Sequence, residues 1–214
     1  GTYVYDITRI GDRIYVGGLF SGVFSPQSVA TSQPNLVAFD ANTGVYDPTF
    51  APSLDGLVQS VEPSADGSVL YVGGAFTNVN GAVNRGVTAL DPVTGATIAG
   101  FSASIDPGRT VHDIEVDGND LYIGGDFFTI GGVNNPRIAR IDATTGAVDV
   151  AFRPAPNNLI LDMSIPPAGD RLYIGGTFDE LDGVASKKMV ALSLPSGALD
   201  PTFEHAFNAR VRAI

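Results

Sequence analysis

The sequence has no cysteine and no tryptophan, only two histidines and two methionines, and only 16% charged residues. Without cysteine no disulfide stabilises the fold, but 214 residues can bury a sufficient apolar core without one. No apolar run approaches the roughly 20 residues of a membrane helix, so we expect no membrane insertion. Twelve Lys and Arg face 23 Asp and Glu, and the resulting net charge of −11 argues against nucleic acid as a partner.

Glycine is abundant, and its positions mark an internal repeat. A Tyr-Val-Gly-Gly or Tyr-Ile-Gly-Gly motif ends at Gly18, Gly74, Gly125 and Gly176. Two later sets of markers are spaced by 51 residues throughout: Gly44, Gly95, Gly146 and Gly197, and Phe50, Phe101, Phe152 and Phe203. The first repeat alone is longer, by five residues between Phe20 and Asn35. A fixed period of this length indicates a repeat architecture.

Each repeat is predicted to form four short antiparallel strands joined by Gly- and Asp-rich turns, and helical periodicity is absent. The main rival is a solenoid, whose rungs are much shorter than 51 residues, so the period favours the blades of a β-propeller. We therefore predict an all-β propeller with four four-stranded blades and the first strand of a fifth. The predicted boundaries are about 2–56, 57–109, 110–158 and 159–209, with the orphan strand at 210–214.

The orphan strand leaves three explanations open. The sequence is a fragment of a longer chain, or the strand pairs with another copy of the protein, or it closes the ring in an unusual way. We favour a fragment, because exposed inner strands are a liability that complete proteins usually cover. If the chain is a unit of its own, we expect self-association through 210–214.

The repeat resembles a known family. The segments 66–76 (Asp-Gly-Ser-Val-Leu-Tyr-Val-Gly-Gly-Ala-Phe), 199–203 (Leu-Asp-Pro-Thr-Phe) and 211–214 (Val-Arg-Ala-Ile) are similar to the delta-sixty repeat, a bacterial β-propeller domain of unknown function. The likeness covers essentially the whole chain. It implies a large secreted or cell-surface bacterial protein in which such repeats are one part, and it implies no particular activity.

Few residues suit catalysis. Nucleophilic catalysis needs a base within reach of a Ser or Thr, and only His112 and His205 are available besides the carboxylates. In a regular strand, His112 and its neighbour Asp113 point to opposite faces and cannot pair. We therefore predict a protein that is not an enzyme, with no catalytic residues and no resident cofactor.

The Asp residues suggest a possible cation site. Asp6, Asp113 and Asp162 share one position of the innermost strand, where Ser60 and Ala213 complete the column. Three carboxylates converging on a propeller axis could hold calcium, although the chain has no calcium loop. A second column, Asp40, Asp91 and Asp142, precedes Thr-Gly turns and is interpreted as structural.

Most aromatic side chains are predicted to be core, because they recur at one place in every repeat. Twelve of the 19 Tyr and Phe residues fall in three such columns. Phe24, in the five-residue insertion, and Phe128, beside the column residue Phe127, are the candidates for ligand-binding loops.

Three functions remain open. The first is a non-catalytic binding module of a bacterial secreted or cell-surface protein, with an unidentified protein or glycan as its ligand. The second is a lectin-like propeller that binds glycan or calcium through the three Asp residues or the loop aromatics. The third, a propeller hydrolase or lyase, would have to rely on the two histidines.

Overall fold

The computed structural model describes residues 2–24, 30–186, 188–203 and 206–214. Within these residues every regular element is a β-strand, as predicted. The described residues contain no helix that is long and apolar enough to cross a membrane.

The 21 strands follow the repeat. The first repeat has β1 (Tyr3–Ile10), β2 (Arg13–Leu19), β3 (Val23–Phe24), β4 (Ala30–Thr31) and β5 (Leu36–Asp40). The second has β6 (Val58–Pro63), β7 (Leu70–Gly74), β8 (Asn78–Val79), β9 (Ala82–Val83) and β10 (Val87–Leu90). The third has β11 (Val111–Asp117), β12 (Asp120–Gly125), β13 (Thr129–Ile130), β14 (Val133–Asn134) and β15 (Ile138–Asp142). The fourth has β16 (Ile160–Ser164), β17 (Arg171–Gly176), β18 (Glu180–Leu181), β19 (Val184–Ala185), β20 (Met189–Ser193) and β21 (Ala198–Leu199).

Each repeat forms one main antiparallel sheet, with orders β1-β2-β5, β6-β7-β10, β11-β12-β15 and β16-β17-β20-β21. A small two-stranded hairpin stands between the second and third strands of every sheet. The first strands of successive sheets contact each other, β1 with β6, β6 with β11 and β11 with β16. We call these four the inner strands.

The fourth strand is shorter than the sequence predicts. Only the last repeat has one, β21, whereas the other three repeats pair this segment through single bridges. In the first, third and fourth repeats an Asp side chain follows this segment and accepts a later amide, whereas the second repeat has Ile98 there, so this contact does not by itself set the length of the strand. In the first repeat Asp47 Oδ1 accepts the Thr49 amide at 2.9 Å, and Pro48 between them has no amide hydrogen to pair.

The core lies between neighbouring sheets. Each of its three clusters combines side chains of two successive repeats. Two of the three predicted aromatic columns form ring pairs, Tyr15–Phe50, Tyr71–Phe101, Tyr122–Phe152 and Tyr173–Phe203, with centroids 5.0, 6.0, 5.4 and 5.4 Å apart. The prediction that the columns are core is confirmed for nine of the twelve residues, whereas Phe20, Tyr173 and Phe203 are half-buried.

The Gly-Gly pairs allow the sheets to approach closely. A methyl group on Gly124 would lie 2.7 Å from Ile160 Cγ2 of the next inner strand, and one on Gly125 would lie 2.2 Å from the Thr110 carbonyl oxygen. The other repeats show the same contacts at the matching glycines. Glycine is therefore required by space at these positions, as the sequence indicated.

Candidate functional site

A polar cavity of about 490 Å³ opens at the beginning of the inner strands. Its lining includes Tyr5, Asp6, Gln59, His112, Asp113 and Asp162. Every inner strand has a register shift here, for example between Val111 and Asp113, so one residue bulges out of the ladder. The bulge turns neighbouring side chains, such as His112 and Asp113, towards the same cavity.

The expectation that His112 and Asp113 point to opposite faces is therefore wrong, because the strand is not regular at this point. The two side chains nevertheless have different partners. His112 Nδ1 lies 3.2 Å from Gln59 Oε1, whereas Asp113 Oδ1 accepts the Ser60 hydroxyl at 3.3 Å. Burial lowers the pKa of His112 and favours its neutral form. His205 lies outside the described residues.

The Asp column links one inner strand to the next. Asp6 Oδ2 accepts the Val61 amide at 2.7 Å, Asp113 Oδ2 accepts the Met163 amide at 2.7 Å, and Asp162 Oδ2 accepts the Ile214 amide at 2.5 Å. Ser60 Oγ, at the same position of the second repeat, accepts the Ile114 amide at 3.2 Å. In each of the four repeats the column residue therefore accepts a backbone amide from a later segment and stabilises the contact between them.

The inner-strand carboxyl groups are poorly solvated. Burial, and next the negative charge of Asp162, raise the pKa of Asp113 well above its usual range. Burial and nearby carboxylates also raise the pKa values of Glu62 and Glu115 to about 7. Across the described parts of the chain, no three His, Asp or Glu side chains are grouped so that they could hold a metal ion. Calcium binding by Asp6, Asp113 and Asp162 stays a prediction.

A different arrangement surrounds Phe128. The guanidinium carbons of Arg109 and Arg137 lie 4.6 and 4.4 Å from the centre of the Phe128 ring. Both distances are typical of cation–π contacts. The ring is 42% exposed although two cations fix it in place. We call Arg109, Phe128 and Arg137 the arginine–phenylalanine clamp.

The backbone beneath the clamp is fixed by the preceding linker. Asp106 Oδ1 accepts the Phe128 and Thr129 amides at 2.7 and 2.8 Å, and its other oxygen lies 3.4 Å from Arg109 Nε. Arg137 donates from Nη1 to the carbonyl oxygen of Asp126. Its backbone has a φ of 71°, in the left-handed region, where the second repeat has Gly86. A pocket of about 130 Å³ beside the clamp is lined by Arg85 and Arg109.

Phe24, the other aromatic residue predicted for ligand binding, lies in the small hairpin of the first repeat, far in sequence from Phe128. Its side chain is 75% exposed. It pairs through its backbone with Ala30 in β3–β4. Residues 25–29 of the same insertion lie outside the described residues. Phe24 and Phe128 thus belong to corresponding hairpin regions of different repeats.

Arg109 and Arg137 were not predicted as site residues, yet the sequence holds a signal for Arg109. The column Phe precedes the next inner-strand Val or Ile by eight residues in the first, third and fourth repeats, as in Phe50 to Val58. In the second repeat the interval is ten residues, from Phe101 to Val111. This two-residue insertion places Arg109 next to the hairpin.

The comparisons with known proteins agree with the architecture. A family model described as "Domain of unknown function (DUF5122) beta-propeller" matches residues 119–152. No curated protein matches the sequence. Together with the all-β sheets, the family match indicates a β-propeller domain of unknown function.

Solved structures share the fold at low sequence identity. The computationally designed Ika8 protein has a TM-score of 0.57 and 14% identity, covering 98% of this chain and 51% of that chain. A chain of the Mitotic Checkpoint Complex also has a TM-score of 0.57, with 16% identity, covering 92% of this chain and 57% of that chain. The chain therefore spans about half the length of these two structures.

Proposed function

We propose that the chain is a non-catalytic binding module that holds a carboxylate-bearing segment of a protein or glycan at the arginine–phenylalanine clamp. The observation that carries this proposal is the exposed Phe128 ring between two guanidinium groups. Ordered aromatic and arginine side chains are the residue types that dominate binding energies at interfaces.

The repeat supports a role for Phe128 beyond packing. The same position holds Thr77 in the second repeat and Asp179 in the fourth, so the blade does not need a phenyl ring there. In both, the linker still fixes the hairpin, through Asp55 to the Thr77 amide and through Asn157 to the Asp179 amide. Phe128 is thus an exposed departure from a conserved hairpin geometry.

The chemistry of the clamp favours a carboxylate. A guanidinium has five N–H donors, and few of them are used here. Arg109 Nε and Nη1 lie 3.4 and 4.0 Å from the Asp106 and Asp126 carboxylates, and Arg137 donates from Nη1 to the Asp126 carbonyl oxygen. The remaining donors match the geometry of a carboxylate. Arg85 adds a third cation next to Arg109, in a protein whose net charge is −11. A charged contact of this kind weakens as salt is added.

Together with the binding function we propose a blade arrangement and a cellular location for the protein. Four blades with the predicted boundaries are supported by the four main sheets and the repeated inner-strand contacts. Residues 210–214, predicted as the first strand of a fifth blade, form no strand in the structure, although Val211 and Ile214 pack on Gly175 as inner-strand residues do on the matching glycines. The resemblance to the delta-sixty repeat supports a bacterial protein that is secreted or attached to the cell surface. Binding residues are often found on loops that a rigid scaffold positions, and Phe128 lies in the loop directly before β13.

The test is binding of the immobilised chain to four polymers: polygalacturonate, poly-L-glutamate, dextran and poly-L-lysine. We expect one or both carboxylate polymers to bind and the other two not to bind. Phe128→Thr, which copies the second repeat, should weaken binding by roughly tenfold or more, in keeping with the loss of an aromatic hot spot.

Phe207→Ala is the matched control, because Phe207 is 43% exposed, nearly the same as Phe128. It should leave binding unchanged. Binding of polygalacturonate alone would identify a glycan ligand, and binding of poly-L-glutamate alone an acidic peptide. If neither carboxylate polymer binds, or if Phe128→Thr binds as well as the unmodified chain, the proposal fails.

A further inference from the structure

The pocket of about 130 Å³ beside the clamp lies where the hairpin of the second repeat meets the linker to the third. Its polar lining consists of Thr77, Arg85, Asp106 and Arg109, and all of its lining residues lie within 75–109. We call it the Arg85 pocket. Arg109 is also a member of the arginine–phenylalanine clamp. The pocket and the clamp therefore adjoin through one shared side chain.

Arg85 is held in position by its backbone. Its amide donates to Ser104 Oγ at 3.2 Å, and its carbonyl oxygen accepts the Ile105 amide at 3.1 Å. The residue is half-buried, and within the described residues its guanidinium forms no hydrogen bond or ion pair. The same position holds Pro34 in the first repeat and Pro136 in the third, so the hairpin does not need an arginine there. Arg85 is thus a positioned cation whose donors are available to a ligand.

The other polar groups determine the charge that the pocket accepts. The Thr77 amide donates to Asp55 Oδ1 at 2.7 Å, while the Thr77 hydroxyl has no hydrogen-bond partner among the described residues. Asp106 already has partners, because Oδ1 accepts two hairpin amides and Oδ2 lies 3.4 Å from Arg109 Nε. Two guanidinium groups and one carboxylate leave a single positive charge, which a monoanion neutralises. The free hydroxyl and guanidinium donors match a carboxylate.

We propose that the ligand is an acidic peptide and that the Arg85 pocket holds the side-chain carboxylate of its second acidic residue. The first acidic residue lies at the clamp, so this inference rests on the proposed function. Because Arg109 borders both sites, the two acidic residues are close together in the peptide. Arg85 is then a residue that determines specificity, since it distinguishes a segment with two carboxylates from a segment with one.

The size of the pocket favours a peptide over a glycan. A volume of about 130 Å³ is below the roughly 300–1,000 Å³ of sites that enclose a whole small molecule. A glutamate side chain carries its carboxylate on two methylene carbons and can enter alone. In a uronate the carboxylate is attached directly to the sugar ring, so the ring would have to enter with it.

The test is the affinity of the full chain for hexa-L-glutamate with blocked ends and, separately, for hexagalacturonate, both measured by calorimetry. Arg85→Gln should weaken hexaglutamate binding by roughly tenfold, because it removes a charged hydrogen-bond donor. Thr77→Val keeps the charge and the shape of the side chain and should weaken binding by roughly threefold. Arg9→Gln is the matched control for charge, since Arg9 is exposed near the end of β1 and pairs with Asp12. It should bind as the unmodified chain does.

The outcomes separate this inference from the proposed function. Circular dichroism establishes that each variant is folded before its affinity is interpreted. If Phe128→Thr weakens hexaglutamate binding but Arg85→Gln and Thr77→Val do not, the Arg85 pocket is not used, while the proposed function stands. Tighter binding of hexagalacturonate than of hexaglutamate would overturn the assignment to a peptide. If neither compound binds, the proposed function fails and this inference fails with it.

Discussion

Glu62 and Glu115 are two residues whose protonation depends on their place in the fold. Both lie on inner strands, and burial is the main reason that their pKa values rise to about 7. The neighbouring carboxylates act in the same direction, Glu115 and Asp6 on Glu62, and Asp162 and Asp6 on Glu115. The folded protein therefore holds protons near neutral pH that the unfolded chain releases.

This predicts a protein that loses stability as the pH rises. A folded pKa above that of an ordinary glutamate gives stability that is present at about pH 5 and lost as the pH passes 7. Urea unfolding should show a loss on the order of 1–3 kcal/mol between these values. Glu62→Gln together with Glu115→Gln should flatten the profile, and Glu180→Gln, on an exposed hairpin residue, should not. A profile that is level in the unmodified chain contradicts this reading.

Gly125 illustrates a residue fixed by space. A methyl group there would lie 2.2 Å from a backbone oxygen, which cannot move as a side chain can. Gly125→Ala should lower the free energy of unfolding by roughly 1–3 kcal/mol or more. Gly132→Ala is the control, because it meets open space and has only the cost of its φ of +77°, about 1 kcal/mol. Equal losses in thermal unfolding of the two variants would show that crowding is not the cause.

The sequence predicted Gly125 correctly because its close approach recurs in every repeat. It misplaced His112 because alternation assumes a regular strand, and one bulged residue reverses that alternation. It missed Arg137 because the contact of its guanidinium with the Phe128 ring depends on how the hairpin folds, which residue spacing does not show. Single residues that depart from the repeat are thus harder to predict than those that follow it.

Among the elements, the inner strands depend on each other through the Asp column. Asp113 receives the Met163 amide of the next strand and the Ser60 hydroxyl of the preceding one, so one carboxyl joins three repeats. Its pKa is raised well above the usual range, chiefly by burial, which favours the uncharged form. An uncharged side chain with an acceptor oxygen is what this position needs.

Asp113→Asn should therefore retain the thermal stability of the chain, because asparagine keeps the acceptor oxygen. Asp113→Ala should lose about 1–3 kcal/mol, since the Met163 amide loses its partner. The same samples test calcium. If the carboxylates act only between strands, millimolar calcium leaves the melting temperature unchanged. A rise with calcium in the unmodified chain that Asp113→Asn abolishes would instead support the calcium-binding alternative.

The first three strands of each repeat could be predicted from the sequence, because the hairpin turns between them carry Gly or Asp at fixed places. The fourth could not be predicted at its true length. Asp47 in the first repeat and Asp200 in the fourth accept a following amide in the same way, yet only the fourth repeat forms a two-residue strand, so neither this contact nor the hydrophobic pattern reveals its length. The small hairpins, two residues per strand, are also too short for periodicity to reveal.

At the scale of the whole molecule, the repeats divide the residues into two groups. Those in columns, such as the Tyr–Phe pairs and the inner-strand Asp residues, contact their neighbours in the same way in successive repeats. Those outside the columns differ from one repeat to the next. Phe128 and Arg109 are of the second group and contact each other.

The most direct test of the binding function is a backbone amide NMR titration of the full chain with oligogalacturonate and, separately, a short poly-L-glutamate. The account predicts that the largest shifts fall on residues 106–110 and 126–137, around the arginine–phenylalanine clamp, and that Phe128→Thr removes them. Shifts concentrated on the inner-strand cavity, at Tyr5, Gln59 and His112, would place binding elsewhere and contradict the assignment.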